Sequence, residues 1–224
     1  MTAYRAVLFD WMLTLADYPP PAAMARRAAR LVGRSLTDGE VTSVVDALTR
    51  THRDPDVVEA MTRCDCSVAE HEHAEMMLLR RAGLDEELAA AWYSLLGDPD
   101  VHRLYAEVPS VLSALAARRV HVVVISDIHV DLREHARRAG IDALIDGWVL
   151  SFEHGVQKPD PRIYELALAA AGVAPTDALM VGDRHTADGA ASLLGIDSLI
   201  LPPRRARDPE VVDPRLNGVV RLVG

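Results

Sequence analysis

The chain has 224 residues, half of them hydrophobic and a quarter charged, which suits one packed domain, or one with a small second module, and excludes wholesale disorder. Its formal net charge of −9 matches neither a phosphate backbone nor an anionic membrane surface, so neither nucleic acid nor a membrane is expected as a partner. No apolar run is long enough for a membrane span, and the opening MTAYRAVLFDWM has Asp10 inside its apolar stretch and no small-residue cleavage site, so it does not read as an export signal. Cys64 and Cys66 stand one residue apart; a bridge between them would be strained, so both read as thiols and the protein as cytoplasmic.

In chain order, AVLFD at 6–10 is a short apolar run ending in an acid, the pattern of a buried parallel strand. The stretch 19–105 reads helical, with helix-period segments near 22–32, 39–52, 67–82 and 85–96. Within it, Ser67 and Glu70 have the spacing of a capping box. After Pro109 the pattern changes to alternation: a helix over 110–119, a strand over 120–126, a helix over 130–139, and a strand over 147–152. A helix over 159–171, a strand over 178–183, a helix over 187–194 and a strand over 198–201 complete it. The tail from Pro202 onward reads as a loop and a terminal strand. Strands alternating with helices predict an α/β fold with a parallel sheet covered on both faces. Ligands in such sheets bind beyond the carboxyl ends of the strands. The strands ending at Asp10, Ser126 and Asp183 bring three polar residues to one rim, and the helical block between the first two reads as a cap beside it.

The residues at that rim have a chemistry in common. Asp10 can serve as nucleophile or metal ligand, and Thr14 can return a hydroxyl toward it. Ser126 precedes a helix start suited to an anion. Asp183 and Asp188 flank a strand-to-helix turn, where paired acids suit Mg²⁺. Lys158 is the sharpest single signal: the chain has 23 Arg and one Lys. A compact ammonium differs from a planar guanidinium in hydration and reach, so the one position that keeps it is a candidate for contacting a carboxylate and a phosphate together.

These four segments in order resemble the motifs of the haloacid dehalogenase-like superfamily of aspartyl-nucleophile hydrolases. The resemblance covers a core of residues 1–15 and 106–224 and implies a Rossmann-like sheet with an inserted all-helical cap over 16–105. It implies that Asp10 attacks a phosphoryl group, with Mg²⁺ held by Asp10, the Met12 backbone carbonyl and Asp183, and supported by Asp188. Thr14, Ser126, Asp127 and Lys158 would contact the phosphate, Ser126 and Lys158 neutralising its charge in the transition state. The implied partner is a small phosphorylated metabolite, and the implied assembly a monomer or homodimer.

One departure bears on the reaction. The family's second acid of the first motif, which protonates the leaving oxygen and then activates water, is Met12 here, and a thioether does neither. Leu13 also stands where a Gly precedes the Thr. Three readings stay open: a phosphatase drawing its acid from His129, His185 or a cap residue such as His71; a different hydrolysis, such as dehalogenation; or a silent binding protein. The family's dehalogenases work without metal and usually lack an acid at position 183, and its phosphonate-cleaving members use a cap lysine that this chain does not have.

Other signals receive plainer readings. The segment RCDCSVAEHEH has neither the Cys spacing nor the His spacing of a zinc site. His71 and His73 are the candidates for facing a substrate. Trp11 is expected to pack beneath the first motif, and Asp127, besides the phosphate role the resemblance gives it, to cap the following helix.

Overall fold

A computed structural model of the chain describes residues 4–202 and 215–224. Seven strands occur in it: β1 (Ala6–Phe9), β2 (Ala16–Asp17), β3 (Arg103–Leu104), β4 (His121–Ser126), β5 (Gly147–Leu150), β6 (Ala178–Gly182) and β7 (Asp197–Ile200). The helices are α1 (Pro21–Leu31), α2 (Asp38–Thr51), α3 (Pro55–Met61), α4 (Val68–Arg81), α5 (Glu86–Leu96), α6 (Val108–Ala117), α7 (Arg133–Arg138), α8 (Ser151–His154), α9 (Pro161–Ala171) and α10 (Asn217–Leu222). Five strands form one parallel sheet in the order β5-β4-β1-β6-β7.

The strand sequences sort their side chains between two cores by the two-residue period of a strand. Val7 and Phe9, Val122 and Val124, and Leu179 and Val181 enter one hydrophobic cluster with α6, α7 and α10. Ala6 and Leu8, Val123 and Ile125, and Ala178 and Met180 enter another with α9. The sheet is therefore buried on both faces, which is why its strands read as continuous apolar runs. β1 lies in the middle, and successive strands depart from it in opposite directions. That arrangement opens a crevice at the carboxyl ends of β1, β4 and β6.

Helices α1 to α5 have their own core, built on Met24, Ala28, Val57, Leu79, Leu88 and Trp92. The chain passes between that layer and the sheet through a two-stranded antiparallel ribbon, β2 with β3, in which Ala16 faces Leu104. Thr37 and Glu40 close a reciprocal capping box at the start of α2. At α4 the expected box is only half made: Ser67 accepts from the Glu70 amide, but the Glu70 carboxylate takes the Ser67 hydroxyl at 2.9 Å rather than the Ser67 backbone amide.

Four sequence expectations need correction. The strand predicted over 147–152 stops at Leu150, and Ser151 opens α8, because its side chain leaves the ladder to bond a turn of the helical layer and a core loop. The segment near 187–194 is a 3-10 helix over Asp188–Leu194 rather than an α-helix. The ribbon strand β3 and the helix α3 lie in a stretch read as four helical segments. The tail ends in a helix, not a strand: Leu216, Val219 and Val223 are buried at helical spacing against the sheet's first core. The rest of the tail, 203–214, lies outside the described residues.

Leu216 is fully buried in that core. Leu216→Ala is expected to cost about 2–5 kcal/mol of stability, read as a lower urea midpoint; a change under about 0.5 kcal/mol would show that α10 does not belong to the core.

Candidate active site

The register of the sheet assembles the site. Phe9 pairs with Val124 on one side and Val181 on the other, so Asp10, Ser126 and Asp183 emerge at one end. Asp10, Ser126, Lys158 and Asp188 are all buried, as is Thr14. The Lys158 ammonium donates to Asp10 Oδ1 at 2.7 Å and to Asp188 Oδ1 at 2.5 Å. The Thr14 hydroxyl donates to the other Asp10 oxygen at 3.3 Å. Asp188 is held from its far side by the Arg184 amide at 2.9 Å. The carboxylate oxygens of Asp10, Asp183 and Asp188 lie within 4.8 Å of one another. Ser126 Oγ is buried with no hydrogen-bond partner among the described residues.

Asp127 does not cap α7, whose N-cap is Leu132. Its carboxylate instead accepts from the Lys158 amide at 2.8 Å and from the Arg184 guanidinium at 2.7 Å, tying the third and fourth motif loops together. Sequence reasoning missed this clamp and Arg184 with it, because the partners lie 31 and 57 residues away in the chain. The backbone of the first motif is unusual at Leu13, whose φ is +58°. A β-carbon in the left-handed region costs roughly 1–2 kcal/mol, which explains the glycine expected there. Leu13 nevertheless keeps the turn, its amide donating to the Ala16 carbonyl at 2.7 Å.

Charge decides what the cluster can hold. Burial raises the Asp10 pKa above the usual carboxylate range, and Asp188 and Asp183 add to this, against the pull of Lys158. Asp183 is raised by burial and by Asp188. Burial works against the Lys158 ammonium, but Asp10, Asp127 and Asp188 outweigh it and raise its pKa. Four carboxylates, Asp10, Asp127, Asp183 and Asp188, thus meet two cations, Lys158 and Arg184. Buried like charges are costly unless compensated, and a divalent cation among three oxygen donors would compensate them. Mg²⁺ suits such a hard, all-oxygen set.

A cavity of about 420 Å³ lies between the helical layer and the sheet rim, lined by Met12, Ile128 and His129 from the rim side and by Tyr18, Asp65, His71, Glu75 and Trp92 among others. Its lower edge is latched. The Ser151 hydroxyl donates to the Asp65 carbonyl at 2.6 Å and accepts from the Ile128 amide at 2.8 Å. Gln157 Nε2 donates to the Thr62 carbonyl at 3.1 Å.

Among the three histidines weighed as substitute acids, His71 and His129 both line the cavity and stack with ring centroids 3.4 Å apart. Burial lowers their pKa values to about 4 and about 3, so at neutral pH both rings are neutral and neither has an imidazolium proton to donate. His185 is exposed and outside the cavity, as is His73. Trp11 is fully buried and packs against Trp148. Cys64 and Cys66 are free and buried. Cys64, Asp65 and His71 bring ligand-type atoms within 4.8 Å of one another, without Cys66 or His73.

A profile of the haloacid dehalogenase-like hydrolases matches residues 4–192. The chain belongs to that family. This hydrolase is 36% identical over 110 residues to the phosphoserine phosphatase of Thermus thermophilus, covering 48% of this chain and 44% of that one. It is 26% identical over 131 residues to (S)-2-haloacid dehalogenase 4A of Burkholderia cepacia, covering 58% and 53%. It spans about half the length of the curated relatives it matches. Its fold superposes on the magnesium-bound HAD-hydrolase YfnB of Bacillus subtilis with a TM-score of 0.72 at 18% identity, over 99% of both chains. No helix among the described residues is long and apolar enough to cross a membrane.

Gly182 is where this hydrolase tolerates least. A β-carbon there would sit 2.1 Å from Asp188 Cγ and 2.5 Å from its Cβ. Gly182→Ala must displace Asp188 and unseat Lys158, so a loss of at least about 3 kcal/mol is expected in thermal or chemical unfolding; unchanged stability would contradict the packing described.

Proposed function

We propose that this hydrolase is a Mg²⁺-dependent phosphatase of a small phosphorylated metabolite, working through a phosphoryl group carried on Asp10. The observation that supports this most is the Lys158 ammonium bridging Asp10 and Asp188 beside a third carboxylate, Asp183. Asp10, Asp183 and the Met12 carbonyl would hold the metal, with Asp188 in support. The ion would supply a fixed positive charge for the phosphate oxygens.

The remaining work falls to side chains. Lys158 and Thr14 each hold an oxygen of the Asp10 carboxylate, which orients it for attack on phosphorus. Lys158 keeps its charge throughout and, with the unpartnered Ser126 hydroxyl, stabilises the phosphoryl oxygens as charge moves onto them. The P–O bond to the leaving group breaks as the bond to Asp10 forms, and the electron pair departs on the leaving oxygen. Met12 cannot protonate that oxygen, so leaving groups stable as anions are favoured and others take a proton from water. In the second step water attacks the Asp10 phosphoryl group and releases phosphate. His129, neutral and on the same cavity wall as Met12, can orient that water by accepting a hydrogen bond, while the water's proton leaves on the released phosphate, since burial makes the ring too weak a base to take it.

The dehalogenase-like alternative has a specific obstacle. A 2-haloacid would place its own carboxylate in a cavity lined by Asp65 and Glu75 and, among the described residues, by no Lys or Arg. Wild-type protein is expected to hydrolyse p-nitrophenyl phosphate with Mg²⁺ and not with EDTA, and Asp10→Asn to abolish turnover. Met12→Asp should raise the rate on alkyl phosphates, which have poor leaving groups, by about 10²–10⁴-fold while changing p-nitrophenyl phosphate turnover far less. Metal-independent turnover, or turnover that survives Asp10→Asn, would overturn the proposal.

A further inference from the structure

The phosphatase reading leaves open what the rest of the substrate is, and the cavity under the helical layer bears on that. Phosphate chemistry is confined to the rim, where Lys158 and Ser126 sit. The cavity itself is lined by two carboxylates and no Lys or Arg among the described residues. Three of its four lining histidines do not supply the missing cation: burial keeps His71, His102 and His129 neutral, with pKa values pushed down to about 4, 4 and 3; the fourth, His52, has its Nδ1 on the Leu48 carbonyl at 2.8 Å.

The acids are not surface acids that happen to be near. Burial raises Glu75 to about 7, with Asp65 adding to the rise and a hydrogen bond from Trp92 opposing it. Burial and Asp127 raise Asp65 to about 6, against the more distant pull of Arg184 and Lys158. Each is a carboxylate held where its charge is poorly solvated, with no Lys or Arg beside it in the cavity lining among the described residues. A second, independent feature is His129, which is only 7% exposed, lines the cavity, and has an Nδ1 with no hydrogen-bond partner among the described residues. The indole of Trp92 and the phenol of Tyr18 complete the wall.

We infer that this cavity takes a protonated amine at the end of the substrate remote from the phosphate, received by Glu75 and Asp65 and enclosed by Trp92, Tyr18 and the stacked His71 and His129. An alkylammonium offers three donors and one positive charge. Two carboxylates and a neutral imidazole nitrogen accept the donors, and the indole and phenol faces attract the charge. An alcohol offers one donor and no charge. A carboxylate offers neither and would be repelled. The inference rests on the phosphatase reading for the position of the phosphate, and on the cavity alone for the amine.

The test uses the full-length Asp10→Asn protein with Mg²⁺, which cannot turn over, and calorimetric titration with three esters of matched length: 4-aminobutyl phosphate, n-butyl phosphate and 3-carboxypropyl phosphate. The amino ester is expected to bind at least about tenfold tighter than the butyl ester, the carboxy ester more weakly than either, and Glu75→Gln to reduce the amine preference to under about threefold. Equal affinities, or a preference for the carboxy ester, would overturn the inference. If none of the three binds, the phosphate reading fails by itself. The amine site is then judged by n-butylamine against n-butanol: saturable amine binding that Glu75→Gln abolishes upholds it, and no such binding overturns it. Zn²⁺ alone is titrated last, since Cys64, Asp65 and His71 come together at the cavity's edge. Tight Zn²⁺ binding that Cys64→Ser abolishes and that excludes the amine would make the pocket a metal site and overturn the inference.

Discussion

One buried ammonium organises this molecule. Lys158, the chain's only lysine, bridges two buried aspartates, Asp10, which follows β1, and Asp188, which opens the 3-10 helix after β6. Remove it, and Asp10 and Asp188 face each other with no cation between them; such half-broken buried pairs typically cost about 3–5 kcal/mol. The same requirement explains the glycine at 182, because only a residue without a β-carbon lets Asp188 approach β6 closely enough to reach the ammonium. It also explains Asp127, which fixes the backbone of Lys158 and holds Arg184 at the opposite edge.

Around that charged centre the molecule divides its tasks between layers. The parallel sheet is buried on both faces and carries Lys158 and Ser126 at its rim. The helical layer has a separate hydrophobic core and presents a cavity of opposite character, acidic and aromatic. The two meet at the Ser151 and Gln157 contacts with the turn at 62–66. Under the proposed reading, a substrate lying across that junction would have its two ends sorted by charge. Met12 stands at the junction, so under the proposed phosphatase reading turnover would depend on the leaving group, because a thioether cannot protonate it.

Much of the sheet domain was legible because its signals are local. Apolar runs such as VHVVVIS bounded by polar residues mark buried strands, and strand-terminal acids at Asp10 and Asp183 mark the rim. The lone lysine stood out by composition alone. The cap helices were legible by their period. What could not be read depends on contacts distant in the chain. The Asp127 clamp looks like a helix cap until the loops around Lys158 and Arg184 are folded onto it. Helix α10 is six residues long, too short for its period to outweigh the β-branched look of NGVVRLV. Glu75 and Trp92 sit in ordinary amphipathic helical sequence and Asp65 in the short 3-10 turn before α4, and their convergence on one cavity is a product of how that turn, α4 and α5 pack. His71 was a candidate acid by position, but its burial beside His129 makes it a neutral ring.

The central claim is that Asp10, Lys158 and the neighbouring carboxylates form a working phosphoryl site despite Met12. The most direct measurement is fluorine NMR of the protein with Mg²⁺ and beryllofluoride, which mimics a phosphoryl group on an aspartate and needs no acid at position 12. The account predicts bound fluorine resonances that vanish in Asp10→Asn and on adding EDTA. Their absence from the folded wild-type protein at saturating Mg²⁺ would contradict it.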